Sequence, residues 1–131
     1  MKWLRWLVII AAMIEAGYMV IDGNHALTTG DYITPTSGPH AGELGPWASV
    51  VSLAGIQPRS AAMKEAFVTL GCAWLVAAFA FALRVPRSSI AMIVFAFGTL
   101  WYVPIGTCLS IVQLVALGSL RSVGAKAPSR R

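Results

Sequence analysis

The chain has 131 residues, of which 57% are hydrophobic and 11% are charged, with a net charge of +5 and a mean hydropathy of +0.72. Because the apolar residues come in long runs, this composition excludes an ordinary soluble domain and indicates an integral membrane protein surrounded by a lipid bilayer. The basic residues stand beside the apolar runs and do not alternate with aromatic residues on a polar face. The charge therefore does not indicate nucleic-acid binding.

The first apolar run, residues 3–22, is long enough to cross a bilayer as a helix. It contains Glu15 and ends on Asp22. A carboxylate within a span is unfavourable against lipid, so this side of the helix is expected to face protein. The 3.6-residue helical period places small and polar side chains on that same face. The predicted packing face consists of Ala11, Ala12, Glu15, Tyr18, Met19 and Asp22.

Residues 23–60 form a stretch rich in glycine and proline, which predicts a long outer loop. Within it, Pro46 is suited to begin a helix, and Gly55 is suited to end one. The intervening segment, residues 47–54, carries Trp47 on its apolar side. It predicts a short interfacial helix that lies on the membrane or caps the helical bundle.

Three further spans are predicted after the loop, at residues 61–83, 89–103 and 105–120, followed by a basic tail at 121–131. Ser60 is suited to cap the first of these helices. The break between the last two is placed at Pro104, because proline removes a backbone hydrogen bond. The packing stripe predicted for the span at 61–83 consists of Thr69, Cys72, Ala73, Val76 and Ala80.

The distribution of charge predicts that both termini are cytoplasmic, because basic residues gather on the inner side of membrane proteins. With four spans, most basic residues fall on one side and most acidic residues on the other. The basic side carries Lys2, Arg5, Arg84, Arg87, Arg121, Lys126, Arg130 and Arg131. The opposite side carries Arg59 and Lys64 together with Asp22, Asp31, Glu43 and Glu65. The sequence therefore predicts an all-α, four-span bundle, residues 1–120, as one domain.

A polar site within the membrane is predicted from Glu15, Tyr18, Asp22 and Gln113. One interpretation is structural, with a hydrogen bond between the Glu15 carboxyl and the Gln113 amide holding the first and last spans together. The other is a proton path or a pocket for a cationic or polar ligand. Residues that form a possible outer rim of this site are His25, Lys64, Trp101 and Tyr102. Lys64 is expected to pair with Asp22.

No catalytic residue, metal site or cofactor is predicted, and an enzyme is the least favoured class. His40 and Glu43 are three positions apart, but Gly42 and the neighbouring prolines disfavour the helix that would hold them on one face.

The turn Pro104-Ile105-Gly106-Thr107, followed by an apolar helix, is similar to a pattern in small four-helix integral membrane proteins of bacteria, some loosely grouped as DoxX-like. The region of Glu15, Gly17, Asp22 and Gly23 resembles the same group. The resemblance implies a bacterial inner membrane and attaches no chemistry to these residues.

Two functions are left open by the sequence. The first is a non-catalytic accessory or assembly subunit, which would bind other membrane subunits or form a homo-oligomer. It is favoured by the small size and the short third and fourth spans. The alternative is a small bundle that binds or transports a lipid, a quinone or a cation through its intramembrane carboxylate.

Overall fold

The computed structural model describes residues 2–126, which form five helices and no strand. Three of the helices are long and apolar enough to cross a membrane, and α4 is a shorter apolar helix. The predicted all-helical class is thus confirmed. The helices are α1 (Lys2–Thr29), α2 (Trp47–Leu53), α3 (Ala61–Ala82), α4 (Ser88–Gly98) and α5 (Ile105–Lys126).

The four apolar helices pack as a bundle in which α1 contacts α3 and α5, and α4 contacts the same two helices. We call the end with residues 30–60 and 99–104 the loop end. The opposite end is called the arginine end, because Arg5 lies there beside the turn between α3 and α4. The Arg5 guanidinium lies 4.4 Å from the centroid of the Phe81 ring and donates a hydrogen bond to the Phe81 carbonyl.

The first helix extends beyond the predicted end at residue 22 and reaches Thr29. No proline or glycine follows Gly23 until Gly30, which has a φ of +99° and donates its N–H to the Ala26 carbonyl. This left-handed glycine ends the helix, as is common at helix C-termini. The loop therefore begins at residue 30, and the prediction of a loop over 23–60 was wrong at its start.

Helices α1 and α3 approach so closely that two positions have no room for a side chain. A Cβ added to Gly71 would lie 2.8 Å from the Ala16 carbonyl oxygen. A Cβ added to Gly23 would lie 2.7 Å from the Phe67 Cβ. Small residues allow such contact, which is how helices associate within lipid. The predicted packing face of α1 is buried except for Tyr18, which is 47% exposed.

The rotation of α3 differs from the prediction. Ser60 does cap the helix, since its hydroxyl accepts a hydrogen bond from the Met63 N–H at 3.2 Å. However, four of the five residues of the predicted stripe are exposed, namely Thr69, Cys72, Ala73 and Val76. The buried residues are Met63, Phe67, Gly71, Trp74, Ala77, Ala78 and Phe81. The close contact at Gly71 sets this rotation and turns the small residues of the predicted stripe outward.

The third predicted span ends earlier than expected, because α4 stops at Gly98 and residues 99–104 form turns. The Thr99 hydroxyl donates to the Phe95 carbonyl at 2.8 Å, and the Trp101 indole donates to the Gly98 carbonyl at 2.6 Å. The two side chains thus donate to carbonyls of the last helical turn, which have no backbone partner within the helix. With 11 residues, α4 is about 16 Å long.

The last helix continues to Lys126, so the first part of the predicted tail at 121–131 is helical. The remainder of that tail, residues 127–131, lies outside the described residues.

The predicted short helix in the loop is confirmed as α2, and it caps the bundle. Its Trp47 is 5% exposed and lies within a cluster of aromatic rings at the loop end. The Trp47 ring centroid is 4.8 Å from that of Phe67, 5.2 Å from Tyr32 and 6.1 Å from Tyr102. This aromatic cluster, which also includes Trp101, attaches the loop to α3 and to the turn before α5.

Candidate ligand-binding cleft

A carboxylate lies in the interior of the bundle at Glu15, which is 2% exposed. Its Oε2 accepts a hydrogen bond from the Gln113 amide at 3.2 Å, and its Oε1 accepts one from the Ser110 hydroxyl at 3.1 Å. Both partners lie on α5, on the face that the sequence predicts to carry Gln113. The predicted carboxyl–amide contact between the first and last spans is therefore present.

The hydroxyls beside Glu15 form a short chain. The Ser110 and Thr99 hydroxyl oxygens are 3.0 Å apart, and Thr99 also reaches the Phe95 carbonyl. A hydroxyl carries one proton, so when Ser110 donates to an ionised Glu15 it can only accept from Thr99, whose own proton then goes either to Ser110 or to the Phe95 carbonyl. If Glu15 is protonated, the chain reverses and Thr99 donates to the carbonyl. The site can thus satisfy Glu15 in either protonation state.

A cleft of about 370 Å³ lies at the loop end beside Glu15. One wall is the middle of α1, another is formed by two parts of the loop, and the third is the turn that leads into α5. Most of its lining is apolar. The lining residues are Ile14, Glu15, Tyr18, Asp22, Tyr32, Ile33, Leu44, Gly45, Pro46, Trp47, Tyr102, Val103, Pro104, Ile105, Gly106 and Leu109.

Three of the four residues predicted to form the polar site line this cleft: Glu15, Tyr18 and Asp22. Gln113 does not, because it lies behind Glu15 in the bundle interior. The Gln113 Oε1 is buried and has no hydrogen-bond partner in the described part of the chain. Gln113 therefore acts on the cleft through Glu15, which it holds in place.

Of the four predicted rim residues, only Tyr102 lines the cleft. The Trp101 ring packs against Trp47. The His25 ring nitrogen lies 2.8 Å from the Asp31 carbonyl oxygen, and Lys64 donates to the Gly30 carbonyl.

The predicted pairing of Lys64 with Asp22 was wrong. Asp22 is 3% exposed and its Oδ1 accepts the Ile33 N–H at 2.7 Å. Because α1 continues to Thr29, its C-terminal end lies beside Lys64, which is in the first turn of α3. Lys64 therefore reaches the Gly30 carbonyl and not the buried carboxylate of Asp22.

The site residues predicted from the sequence include none from the loop wall, which supplies Tyr32, Ile33 and Trp47. The hydrogen bond from Ile33 to Asp22 is what fastens this wall to α1. Tyr32 is fixed as well, because its hydroxyl donates to the Pro58 carbonyl at 2.8 Å. Burial, with the nearby Asp22 and Asp31, raises the pKa of Tyr32 to about 12. The tyrosine therefore stays protonated and keeps this bond at neutral pH.

Asp31 and Arg59 form an ion pair outside the cleft, with Arg59 Nε 3.0 Å from Asp31 Oδ1. Partial burial alone would raise the pKa of Asp31. The hydrogen bonds from Arg59 and from the Tyr32 N–H outweigh this effect and hold the pKa below its ordinary value of 3.8. A lowered carboxyl pKa stabilises the folded loop at pH values above 3.8, the ordinary pKa of the group. This contribution is lost as the pH falls toward the pKa in the folded protein.

Replacing the arginine in Arg59→Gln is expected to raise the pKa of Asp31, because it removes both the charge and the donated hydrogen bond. The measurement is a carbon NMR titration of the Asp31 carboxyl in detergent micelles. Lys64→Gln is the control, since Lys64 bonds to a carbonyl and only adds a weaker charge effect at Asp31. A pKa of Asp31 that is the same in Arg59→Gln and in the wild type would contradict the ion pair.

A hydrogen bond joins His40 and Glu43 in the loop at 2.9 Å, held by a turn and not by a helix. Both side chains are exposed. Among residues 2–126, no three His, Cys, Asp or Glu side chains are grouped as metal ligands would be.

No protein-family model, no curated protein and no solved structure matches this chain. The resemblance to small bacterial four-helix membrane proteins therefore stays a prediction.

Proposed function

We propose that this protein is a small integral membrane protein that binds a predominantly apolar small molecule in the cleft at the loop end. The observation that carries the proposal is the position of Glu15 and Asp22, two buried carboxylates in the wall of a largely apolar cleft. Small-molecule sites combine apolar walls with a few placed polar groups in this way. Ionisable groups within a span are retained where they serve a site or a partner.

The network around Glu15 supports a binding role because it holds the carboxylate in one position. Ser110 and Gln113 approach it from α5, while the cleft opens on its other side. Asp22 is held in the same manner by the loop backbone. A site with prearranged polar groups loses less entropy on binding than one whose side chains must be ordered.

The proposal includes four crossings of a bacterial inner membrane, with the arginine end in the cytoplasm. Arg5, Arg84, Arg87 and Arg121 support this orientation by the positive-inside rule. Helix α4 is shorter than the hydrocarbon core of about 30 Å. The turns of residues 99–104 extend the crossing. Trp47 packs against Trp101 and Tyr102 there, and Val103 and Pro104 line the cleft. Irregular backbone at membrane depth is tolerated where it is covered by protein or lines a cavity.

An accessory or assembly subunit, the function first favoured by the sequence, stays a prediction. No feature of the described residues favours it over the cleft. Contact with lipid is enough to explain the exposed apolar side chains of the bundle, so they do not require a protein partner.

The experiment compares the molecules that co-purify with two variants on neighbouring positions of α5. Leu109 lines the cleft, so Leu109→Trp is expected to fill it and to remove the bound molecule. Cys108 is exposed and does not line the cleft, so Cys108→Trp adds the same side chain outside it. The protein is purified in nanodiscs, and extracted small molecules are quantified by mass spectrometry relative to protein.

The proposal predicts a molecule that is present in stoichiometric amount in the wild type and in Cys108→Trp, and lost by about tenfold or more in Leu109→Trp. Retention of the same molecules by both variants would show that the cleft does not hold them. Circular dichroism of both variants checks that each remains helical.

A further inference from the structure

We infer that the ligand of this cleft is a lipophilic organic cation: an ammonium group on an apolar body, with no phosphate attached. This inference rests on the proposed function and adds to it the charge of the ligand. It follows from three features of the lining: its charges, its unpartnered polar atoms and its aromatic rings.

The charged side chains that line the cleft are all acidic. They are Glu15 and Asp22, and no Lys, Arg or His is among the lining residues. The basic groups of the loop end have other partners. Arg59 pairs with Asp31, and Lys64 binds the Gly30 carbonyl. The His25 ring lies at the Asp31 carbonyl, and the His40 ring lies at the Glu43 carboxylate. The hydrogen bonds to Glu15 come from neutral groups. The cleft thus contains two carboxyl groups in a setting of low polarity, where an ionised carboxylate attracts a cation more strongly than in water.

Two buried residues of the lining keep polar atoms unused within residues 2–126. Asp22 accepts one hydrogen bond at Oδ1, and its Oδ2 has no hydrogen-bond partner. Tyr102 is 8% exposed, and its hydroxyl has none either. Neither atom is among the fully enclosed polar atoms without a partner, so both keep some accessible surface, and both residues line the cleft. An ammonium that donates to Asp22 would satisfy the first.

Aromatic rings surround the same space. The Tyr102 ring centroid lies 6.5 Å from that of Tyr18 and 6.1 Å from that of Trp47, and all three residues line the cleft. The faces of aromatic rings attract cations, and this attraction increases when the cation is removed from water. Combined with apolar walls, the rings suit an ammonium with alkyl or aryl substituents better than a hydrated metal ion.

Other ligand classes fit less well. A neutral quinone brings no positive charge to pair with the two carboxyl groups of the lining when they are ionised. A zwitterionic lipid would bring a phosphate close to Glu15 and Asp22, and like charges repel in a poorly solvated site. An ammonium without a phosphate avoids both penalties.

The test uses a matched pair of probes, 4-phenylbutylammonium and its neutral isostere in which a methyl group replaces the ammonium. Binding to the full chain is measured by isothermal titration in phosphatidylcholine nanodiscs, with empty nanodiscs as the blank. The inference predicts that the cation binds about tenfold or more tightly than the isostere.

The same titration in an uncharged maltoside detergent separates the two sources of an ammonium group. Binding in both media indicates a free amine, whereas binding only in detergent indicates that choline headgroups occupy the site in nanodiscs and would overturn the exclusion of phosphate.

The variant Asp22→Asn is expected to remove the preference for the cation, because it removes the charge while its side-chain oxygen still accepts the Ile33 N–H. Glu65→Gln is the matched control, since Glu65 is an exposed carboxylate of α3 that does not line the cleft. It should bind the cation as the wild type does. If Asp22→Asn and Glu65→Gln lose the preference for the cation equally, the preference comes from the overall charge of the protein, and the inference is overturned.

The outcomes separate this inference from the proposed function. If both probes bind equally and Leu109→Trp abolishes both, the cleft binds small molecules but the inference of a cation is wrong. If neither probe binds and the wild type retains no molecule, both fail.

Discussion

Replacing Trp47 with alanine is expected to lower the free energy of unfolding by about 3 to 5 kcal/mol, the usual loss when a large buried aromatic side chain is truncated. Trp47 is 5% exposed and contacts the rings of Tyr32, Phe67 and Tyr102. It is the part of α2 that joins the loop to the bundle. The measurement is denaturant-induced unfolding in mild detergent, followed by circular dichroism.

The control is Trp6→Ala, because Trp6 is 61% exposed and packs against no core cluster. Its expected effect is within about 0.5 kcal/mol, as for other exposed positions. Similar losses in the two variants would contradict the capping role of α2. Because Trp47 also lines the cleft, Trp47→Ala should weaken ligand binding, whereas Trp6→Ala should not.

Replacing Glu15 with leucine is expected to destabilise the bundle by roughly 2 to 6 kcal/mol. The substitution removes the acceptor of two buried groups, the Ser110 hydroxyl and the Gln113 amide. Each buried polar group that loses its partner costs about 1 to 3 kcal/mol. Leucine has a volume similar to that of glutamate, so the loss of the acceptor dominates. The same unfolding titration measures it.

The double variant Glu15→Leu, Gln113→Leu is expected to recover much of that loss. It removes the stranded amide, including the Gln113 Oε1 that has no partner in the described part of the chain. Replacing both members of a buried polar pair by apolar groups is often close to neutral. If the effects of the two single substitutions simply add in the double variant, Glu15 and Gln113 are not coupled, which would contradict the hydrogen bond between them.

The double variant also separates stability from function. It should restore folding without restoring the ligand, because the carboxylate is absent. Recovery of both would identify Glu15 as a purely structural residue.

The face of α1 was predictable from the sequence because its spacing and its carboxylates agree. Glu15 and Asp22 are too polar for lipid, and the small residues beside them permit close packing. Gln113 was predictable as the partner of Glu15 for the same reason. Placing such polar side chains against lipid costs free energy, so the helix turns the face that carries them toward protein.

The rotation of α3 and the loop wall were not predictable in this way. An apolar residue such as Val76 or Phe79 is tolerated both in lipid and in protein, so composition does not decide between faces of α3. The contact of Gly71 with the Ala16 carbonyl decides it, and this depends on two helices at once. The hydrogen bond from Ile33 to Asp22 likewise joins distant parts of the chain, and no local pattern marks it.

The predicted end of the third span at residue 103 was wrong, because Pro104 is not the first break in this segment. Thr99 already competes for the carbonyls of the preceding turn. That shift moves Tyr102 from a helix into a turn, where it lines the cleft. The length of α1 was underestimated for a related reason: Gly23 is an internal glycine that allows Phe67 to approach, and the helix ends only at the left-handed Gly30.

The most direct test of the central claim is native mass spectrometry of the wild-type protein released from nanodiscs. A binding bundle predicts a chain that carries one small-molecule adduct, released when the protein is denatured. A stoichiometric protein partner without any small molecule would contradict this account and would return Glu15 and Gln113 to the role of packing residues in an accessory subunit.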